Sequence, residues 1–232
     1  MPSSRILAVV GAAAHAVLDM LESRTLLAYV PIAGINDIVY DSSRNVVYAT
    51  AGATIQRYDV ASGQLLTPWN VGGNLLGADI TADNAYLYVA DGSNPQIRKV
   101  NLSDGTSTAI TYSPAFGESN AYDVAIVGSQ AIFTTQYSGS GWTPLRNIDL
   151  ASGAISVRTD LGSVRQNSVL SRAADGSALF LTESNISSGP IHYYSTAQDK
   201  FTASGGTQTS LSNTLHDVSR DGKLVALRFS GI

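Results

Sequence analysis

Four aspartates recur along the chain, each followed by an aliphatic residue at the start of an apolar run. They are Asp37, Asp79, Asp123 and Asp217, and they lie 42, 44 and 94 residues apart. Hard cations such as Ca²⁺ prefer oxygen ligands, so one interpretation of this set is a metal site. A residue that recurs in every repeat more commonly serves the repeat, by accepting hydrogen bonds from backbone N–H groups of the next loop. We favour that structural interpretation.

A second set of residues is unusual for the predicted loops that contain it. The chain has only three glutamates, and two of them fall in such loops, as does a tryptophan in the stretch YSGSGW. A histidine also directly precedes the last of the four aspartates. Loops on a rigid scaffold commonly carry binding residues. The candidate ligand-binding residues are therefore Glu118, Glu183, Trp142, His216 and Asp123.

No catalytic residue is assigned from the sequence. No G-x-S-x-G stretch is present, and a Ser–His–Asp triad is defined by geometry rather than by composition. Zinc-ligand spacing and Gly-rich phosphate loops are also missing from the sequence. We therefore expect no cofactor. His192 occupies the same place in a predicted strand as Gln56, Arg98 and Arg146, and we therefore expect its side chain to be solvated.

The elements that must position these residues repeat every 42–48 residues. In each unit the aspartate strand is followed by a second apolar run, a third strand, a turn ending in glycine and a weaker fourth strand. Four short strands in such a period are typical of a β-propeller blade. The predicted blades span residues 35–72, 75–116, 121–163 and 167–211, with a partial blade at 215–232.

The composition agrees with an all-β protein. There are 15 Asp against 3 Glu, and 11 Arg against 3 Lys, a choice that favours turns over helix surfaces. Hydrophobic residues make up 44% and charged residues 14%, which excludes an intrinsically disordered chain. The net charge of −4 gives no electrostatic footprint for nucleic acid. With no cysteine, neither disulfides nor a thiolate site can form.

One stretch resembles a known repeat family. Residues 87–91 read Leu-Tyr-Val-Ala-Asp, with Ile97 downstream, and this resembles the YVTN and WD-like propeller repeats. The resemblance covers the chain from about residue 36 onward. It implies a β-propeller of four-stranded antiparallel blades. It specifies function only weakly, because propellers include enzymes, binding proteins and scaffolds.

The first thirty residues differ from the repeats. Residues 6–18 are almost continuously apolar and follow Arg5, which is the pattern of a signal peptide and is too short to span a bilayer. An amphipathic helix is the alternative. Residues 21–27, LESRTLL, resemble the LEPR-XLL motif, with Ser23 in place of its proline. That resemblance implies an exported bacterial surface protein. We expect residues 1–30 to lie outside the propeller, helical or poorly ordered.

The fifth unit contains only two strands in this sequence. We therefore expect about four and a half blades from a longer polypeptide, and we expect the isolated chain to self-associate through unpaired apolar edges and faces.

Two functional hypotheses remain open at this point. In the first, the chain is a non-catalytic extracellular or cell-surface module that binds a protein or carbohydrate ligand. In the second, it is a lactonase-like hydrolase with a metal at the channel mouth. The enzyme requires acids from several blades to converge on one point. The scaffold predicts acids that are spread around a ring and bonded to local backbone, and we favour it.

Overall fold

The computed structural model describes residues 30–186, 190–206 and 215–228. The chain divides into two compact units, residues 1–32 and 33–232. Of the first unit only residues 30–32 are described, so the signal-like and LEPR-XLL-like stretches lie outside the described residues. The ends of the fourth and fifth predicted units, 207–211 and 229–232, lie outside them as well.

The second unit is a β-propeller built from consecutive antiparallel sheets. Blade 1 contains β1 (Ile35–Asp41), β2 (Val46–Ala51), β3 (Thr54–Asp59) and β4 (Gln64–Asn70). Blade 2 contains β5 (Leu75–Ile80), β6 (Tyr86–Asp91), β7 (Gln96–Asn101) and β8 (Ser107–Thr111). Blade 3 contains β9 (Glu118–Val127), β10 (Gln130–Tyr137), β12 (Arg146–Asp149) and β13 (Ile155–Val157), and β11 (Trp142–Pro144) pairs with β14 (Ser163–Arg165). Blade 4 contains β15 (Val169–Arg172), β16 (Ala178–Thr182), β17 (Pro190–Ser195) and β18 (Lys200–Gly206), and half-blade 5 contains β19 (Leu215–Val218) and β20 (Val225–Arg228).

The strand order confirms the all-β fold of four-stranded antiparallel sheets predicted from the repeats. In each of the four blades the strands pair in chain order, apart from the inserted β11–β14 pair of blade 3. The turns follow the expected glycines: Gly63, Gly105 and Gly153 all adopt positive φ. The described helical content is one 3₁₀ turn at Thr196–Gln198, so no described helix could cross a membrane.

The hydrophobic core lies between consecutive blades. One cluster joins blades 1 and 2 and includes Tyr48, Ile55 and Leu87. Two further clusters join blade 2 to blade 3 and blade 3 to blade 4. In blades 1 to 4 the second strand is largely buried on both faces of its sheet, which explains its continuous apolar run.

The first strand of every blade lines a central channel. Its cavity has a volume of about 800 Å³, and its wall includes residues of β1, β5, β9 and β15 together with Asp217 of β19. The recurring aspartates therefore lie on the innermost strands.

Blade 3 contains an insertion that the sequence pattern did not predict. Between its second and third strands the chain forms β11, which pairs with β14 within the connection to blade 4. Trp142, expected in a loop, is the first residue of β11, and Glu118, also expected in a loop, is the first residue of β9. The strands β11 and β14 have only three residues each, which is too short for an alternating apolar pattern to be recognised in the sequence.

Candidate functional site

Two of the recurring aspartates bridge consecutive blades through backbone hydrogen bonds. Asp37 accepts from its neighbour Ile38 N–H at Oδ1 (2.8 Å) and from Ala78 N–H of blade 2 at Oδ2 (2.7 Å). Asp123 accepts from Val124 N–H at Oδ1 (2.8 Å) and from Leu170 N–H of blade 4 at Oδ2 (2.7 Å). Both oxygens of each carboxyl group are therefore used to join one innermost strand to the next.

Asp79 does not occupy the equivalent position, although its sequence context is the same. Asp37 and Asp123 lie opposite Thr50 and Thr134, whereas Asp79 lies opposite Tyr88, two residues further along the strand. A one-residue register shift occurs at the same point of all three first strands, and Asp79 lies two residues further beyond it than Asp37 and Asp123 do. Asp79 still bridges to the next blade, because Ile126 N–H donates to its Oδ2 at 2.7 Å.

The offset places Asp79 beside a cation from across the channel. Arg172 of blade 4 donates from Nε to Asp79 Oδ2 (2.8 Å) and from Nη2 to Asp79 Oδ1 (2.9 Å). This bidentate hydrogen bond to Asp79 raises the pKa of Arg172 above its ordinary value. The pair therefore links blade 2 directly to blade 4.

Asp37 and Asp123 come close together because Gly77 lies between them. A methyl group at Gly77 would overlap the carboxyl group of Asp123, while the next residue, Ala78, donates to Asp37. Burial, together with the negative charges of Asp37 and Asp79, raises the pKa of Asp123 to about 8, although the hydrogen bonds from Leu170 and Val124 act to lower it. Burial likewise raises the pKa of Asp37, to about 6. Asp123 is 8% exposed, whereas Asp37 is only half-buried, so burial raises the pKa of Asp123 more than that of Asp37.

Of the remaining candidates, Asp217 also borders this channel and accepts from Val218 N–H at 2.7 Å. The backbone of His216 belongs to β19, but its side chain lies outside the described part of the chain. Among the described residues, no group of three or more His, Asp or Glu side chains is arranged to hold a metal ion.

Glu118 lies beneath the loops of blade 3 in a buried ion pair. Arg146 donates from Nε to Glu118 Oε1 (2.7 Å) and from Nη2 to Oε2 (2.6 Å), and Ala115 N–H also donates to Oε2 (2.7 Å). The Arg146 guanidinium lies 4.8 Å from the ring centre of Tyr112. The Glu118 carboxylate therefore holds the loop that precedes β9 against the third strand of the blade.

A similar pair lies beneath the loops of blade 4. Glu183 accepts from Arg165 N–H at Oε2 (2.9 Å), and its Oε1 lies 2.9 Å from His192 Nε2. In blade 2 the corresponding contact joins Asp91 Oδ2 to Arg98 Nε at 3.2 Å.

The expectation that His192 is solvated is wrong, because its side chain is buried; Arg146 is buried too, while Gln56 and Arg98 are partly buried. Two features of the sequence could have indicated these pairs. A basic residue recurs in the third strand, and an acid lies at the end of the second strand or at the start of the first.

Above these pairs lies a surface that we call the blade-three loop surface, formed by residues 113–117 and 138–142. Its two aromatic residues are exposed: Phe116 at 98% and Trp142 at 56%. The Arg165 guanidinium lies 4.9 Å from the ring centre of Trp142. Arg165 also donates to Gly141 O (3.1 Å), Ser140 Oγ (2.6 Å) and Asn185 O (3.2 Å). Of the ligand-surface candidates with described side chains, Trp142 is the exposed one.

The fold is shared with proteins of known structure. Hydrazine synthase of Kuenenia stuttgartiensis superimposes with a TM-score of 0.66 at 15% identity, over 88% of this chain and 58% of that one. The Dos1 propeller gives 0.61 at 17% identity, over 84% and 53%. The Cps50 (Swd1) β-propeller domain of Myceliophteria thermophila gives 0.62 at 8% identity, over 88% and 65%.

These likenesses establish a β-propeller fold and nothing finer, because the identities are low. This chain spans little more than half to about two thirds of each of these structures. No protein-family model and no curated protein sequence matches the chain.

Proposed function

We propose that this chain is a non-catalytic β-propeller module that binds a protein or carbohydrate ligand at the loop face of blade 3. One observation carries the proposal: the acids singled out in the sequence are engaged in holding the fold. The carboxyl groups of Asp37, Asp79 and Asp123 accept from the backbone of the next blade. Glu118 and Glu183 face basic side chains beneath the loops.

The exposed aromatic residues support a binding role for the same face. A tryptophan held in place by a buried arginine is the kind of residue that dominates binding energy in interfaces. The acids beneath the blade-three loop surface then act indirectly, because they fix the loops that present Trp142 and Phe116.

A hydrolase of the lactonase type is the alternative, and one observation favours it. The pKa values of Asp37 and Asp123 are raised, and both residues face a channel of about 800 Å³. Raised pKa values are common in active sites. The hydrogen bonds of these groups count against the alternative, since all four oxygens already accept backbone N–H groups at 2.7–2.8 Å.

We also propose that the protein is exported and acts at the cell surface, with a propeller of the YVTN-like kind. The support is the apolar stretch of residues 6–18 and the LEPR-XLL-like stretch of residues 21–27. Fractionation of the producing cells with an antibody to the propeller would test this location.

Hydrolysis assays test the non-catalytic assignment. The purified chain is incubated with dihydrocoumarin and p-nitrophenyl acetate, with added Ca²⁺ and with EDTA. We expect the same background rate from the wild type and from the variants Asp37→Asn and Asp123→Asn. The proposal would be overturned if the wild type hydrolysed a substrate and both variants did not, with circular dichroism spectra showing that the variants are folded.

A further inference from the structure

Two adjoining loops of blade 3 carry the exposed aromatic side chains, and both loops pack against the ring of Tyr137. Gly117 and Gly141 both lie against the ring of Tyr137, where an added methyl group would approach ring atoms to 2.2 Å and 2.7 Å. Ser138 N–H donates to Gly117 O at 2.8 Å, which joins the two loops directly. Phe116 and Trp142 are the chain neighbours of these two glycines. Their side chains therefore rise from adjoining loops that rest on the same ring.

The indole of Trp142 is held in position before any ligand binds. Arg165 lies against the ring, and its own donors are used by Gly141 O, Ser140 Oγ and Asn185 O. Arg165 is buried, so this support does not depend on a mobile surface side chain. A side chain that is already ordered, as Trp142 is, loses little conformational entropy when a ligand binds to it.

The exposed part of this surface carries no charge. Its exposed residues are Ser113, Pro114, Ala115, Phe116, Ser138, Gly139, Ser140 and Trp142. The charges nearest to them belong to Glu118, Arg146 and Arg165, which are buried and paired with one another or with backbone groups. A charged ligand would find no complementary charge here. An uncharged ligand is therefore favoured.

We propose that the blade-three loop surface binds a neutral glycan, with a sugar ring stacked on Trp142. This inference rests on the proposed function, since it names the ligand class of the surface proposed there. A pyranose ring offers an apolar C–H face to the aromatic ring, while its hydroxyl groups match serine hydroxyls and glycine backbone groups. An apolar peptide would fit less well, because serine and glycine rather than apolar walls lie beside the indole.

Affinity electrophoresis of the full chain tests this proposal. The native gels contain hydroxyethyl cellulose, galactomannan, laminarin or dextran, with a polysaccharide-free gel as reference. We expect retardation by at least one of these neutral polymers. Trp142→Ala should weaken that retardation about tenfold or more, and Trp142→Tyr should retain part of it. Tyr40→Ala removes an exposed aromatic residue elsewhere, on blade 1, and should change nothing.

Two results would overturn the glycan assignment. The first is the absence of retardation by all four polymers. The second is retardation that Trp142→Ala leaves unchanged, with the variant shown to be folded by its near-UV circular dichroism. Binding of an arrayed peptide that depends on Trp142 would also overturn it, while leaving the binding-module function intact. Only the hydrolysis assays bear on whether the module is catalytic.

Discussion

At the scale of single residues, the chain uses its carboxyl groups mainly as hydrogen-bond acceptors for backbone. A buried backbone N–H without a partner costs about as much as a lost hydrogen bond. The first strand of each blade is the edge strand of its sheet, and it does not form a sheet with the first strand of the next blade. Its N–H groups that point toward the channel therefore need other acceptors. An aspartate that accepts from its own next residue and from the next blade solves this problem with one side chain.

The raised pKa of Asp123 predicts a pH dependence of stability. Below about pH 4 the carboxyl group is protonated in both states. Between about pH 4 and 8 the unfolded chain ionises while the folded one keeps the proton, because burial and the charges of Asp37 and Asp79 disfavour ionisation. The free energy of unfolding should therefore fall as pH rises through this window, by up to about 1.4 kcal/mol per pH unit.

Urea unfolding between pH 4 and 8 measures this slope, with Asp123→Asn as the comparison. The variant should be less stable at low pH, since its amide NH₂ faces a backbone donor. Its free energy of unfolding should also change less with pH than that of the wild type. Equal slopes for the two proteins would mean that Asp123 ionises normally in the folded channel.

Single residues also show where reasoning from sequence fails. The recurrence of Asp37, Asp79 and Asp123 was visible, and so was a structural use for them. The two-residue offset of Asp79 was not visible, because the local pattern of Asp followed by an aliphatic residue does not reveal which residue of the second strand it will pair with. The Glu118–Arg146 pair was also missed, since its partners lie 28 residues apart and meet only when β9 and β12 enter one sheet.

At the scale of elements, hairpins and turns follow the sequence closely. The glycine-ended turns at Gly63, Gly105 and Gly153 occur where predicted. The Asp175–Gly176 turn also occurs, but Gly176 alone takes positive φ, and the closing hydrogen bonds join Ala173 to Gly176 and Ala178. The hairpin loop is therefore longer than the two-residue turn that the Asp-Gly pair predicts. The β11–β14 insertion has no repeat counterpart and so left no periodic signal.

A pair of glycine variants tests how tightly the blade-three loops are packed. Gly117 and Gly153 have similar φ values of +78° and +74°, so an alanine at either position costs about 1–2 kcal/mol of backbone strain. Only at Gly117 would the new methyl group overlap the Tyr137 ring. Overlap in a packed region adds about 1–3 kcal/mol. Gly117→Ala should therefore be clearly less stable than Gly153→Ala in denaturant unfolding, whereas equal losses would show that Tyr137 moves aside freely.

At the scale of the whole molecule, one blade face is left uncovered by the described residues. In blade 1, Ile38 is 63% and Tyr40 53% exposed, and Leu65 lies on the same face through the register Tyr40–Val47–Tyr58–Leu65. Between blades 1 and 2, blades 2 and 3, and blades 3 and 4, apolar clusters fill the corresponding space. An apolar face of this kind promotes association.

The expectation that the isolated chain self-associates stays a prediction, and this face gives it a specific test. Sedimentation velocity over a range of concentrations should show oligomers of the wild type. Ile38→Lys should reduce them, while Phe116→Ser, which removes an exposed aromatic residue on another face, should not. A monomer at every concentration would refute the prediction.

We interpret Asp37, Asp79 and Asp123 as acceptors that join neighbouring blades rather than as ligands of an ion. Calorimetric unfolding of the wild type and of Asp123→Ala, in Ca²⁺ and in EDTA, distinguishes the two roles. We predict the same wild-type Tm in both buffers. We also predict that Asp123→Ala loses about 1–3 kcal/mol for each backbone N–H left without its acceptor, independent of Ca²⁺. A Tm that rises with Ca²⁺ in the wild type, but not in Asp123→Ala, would contradict this interpretation.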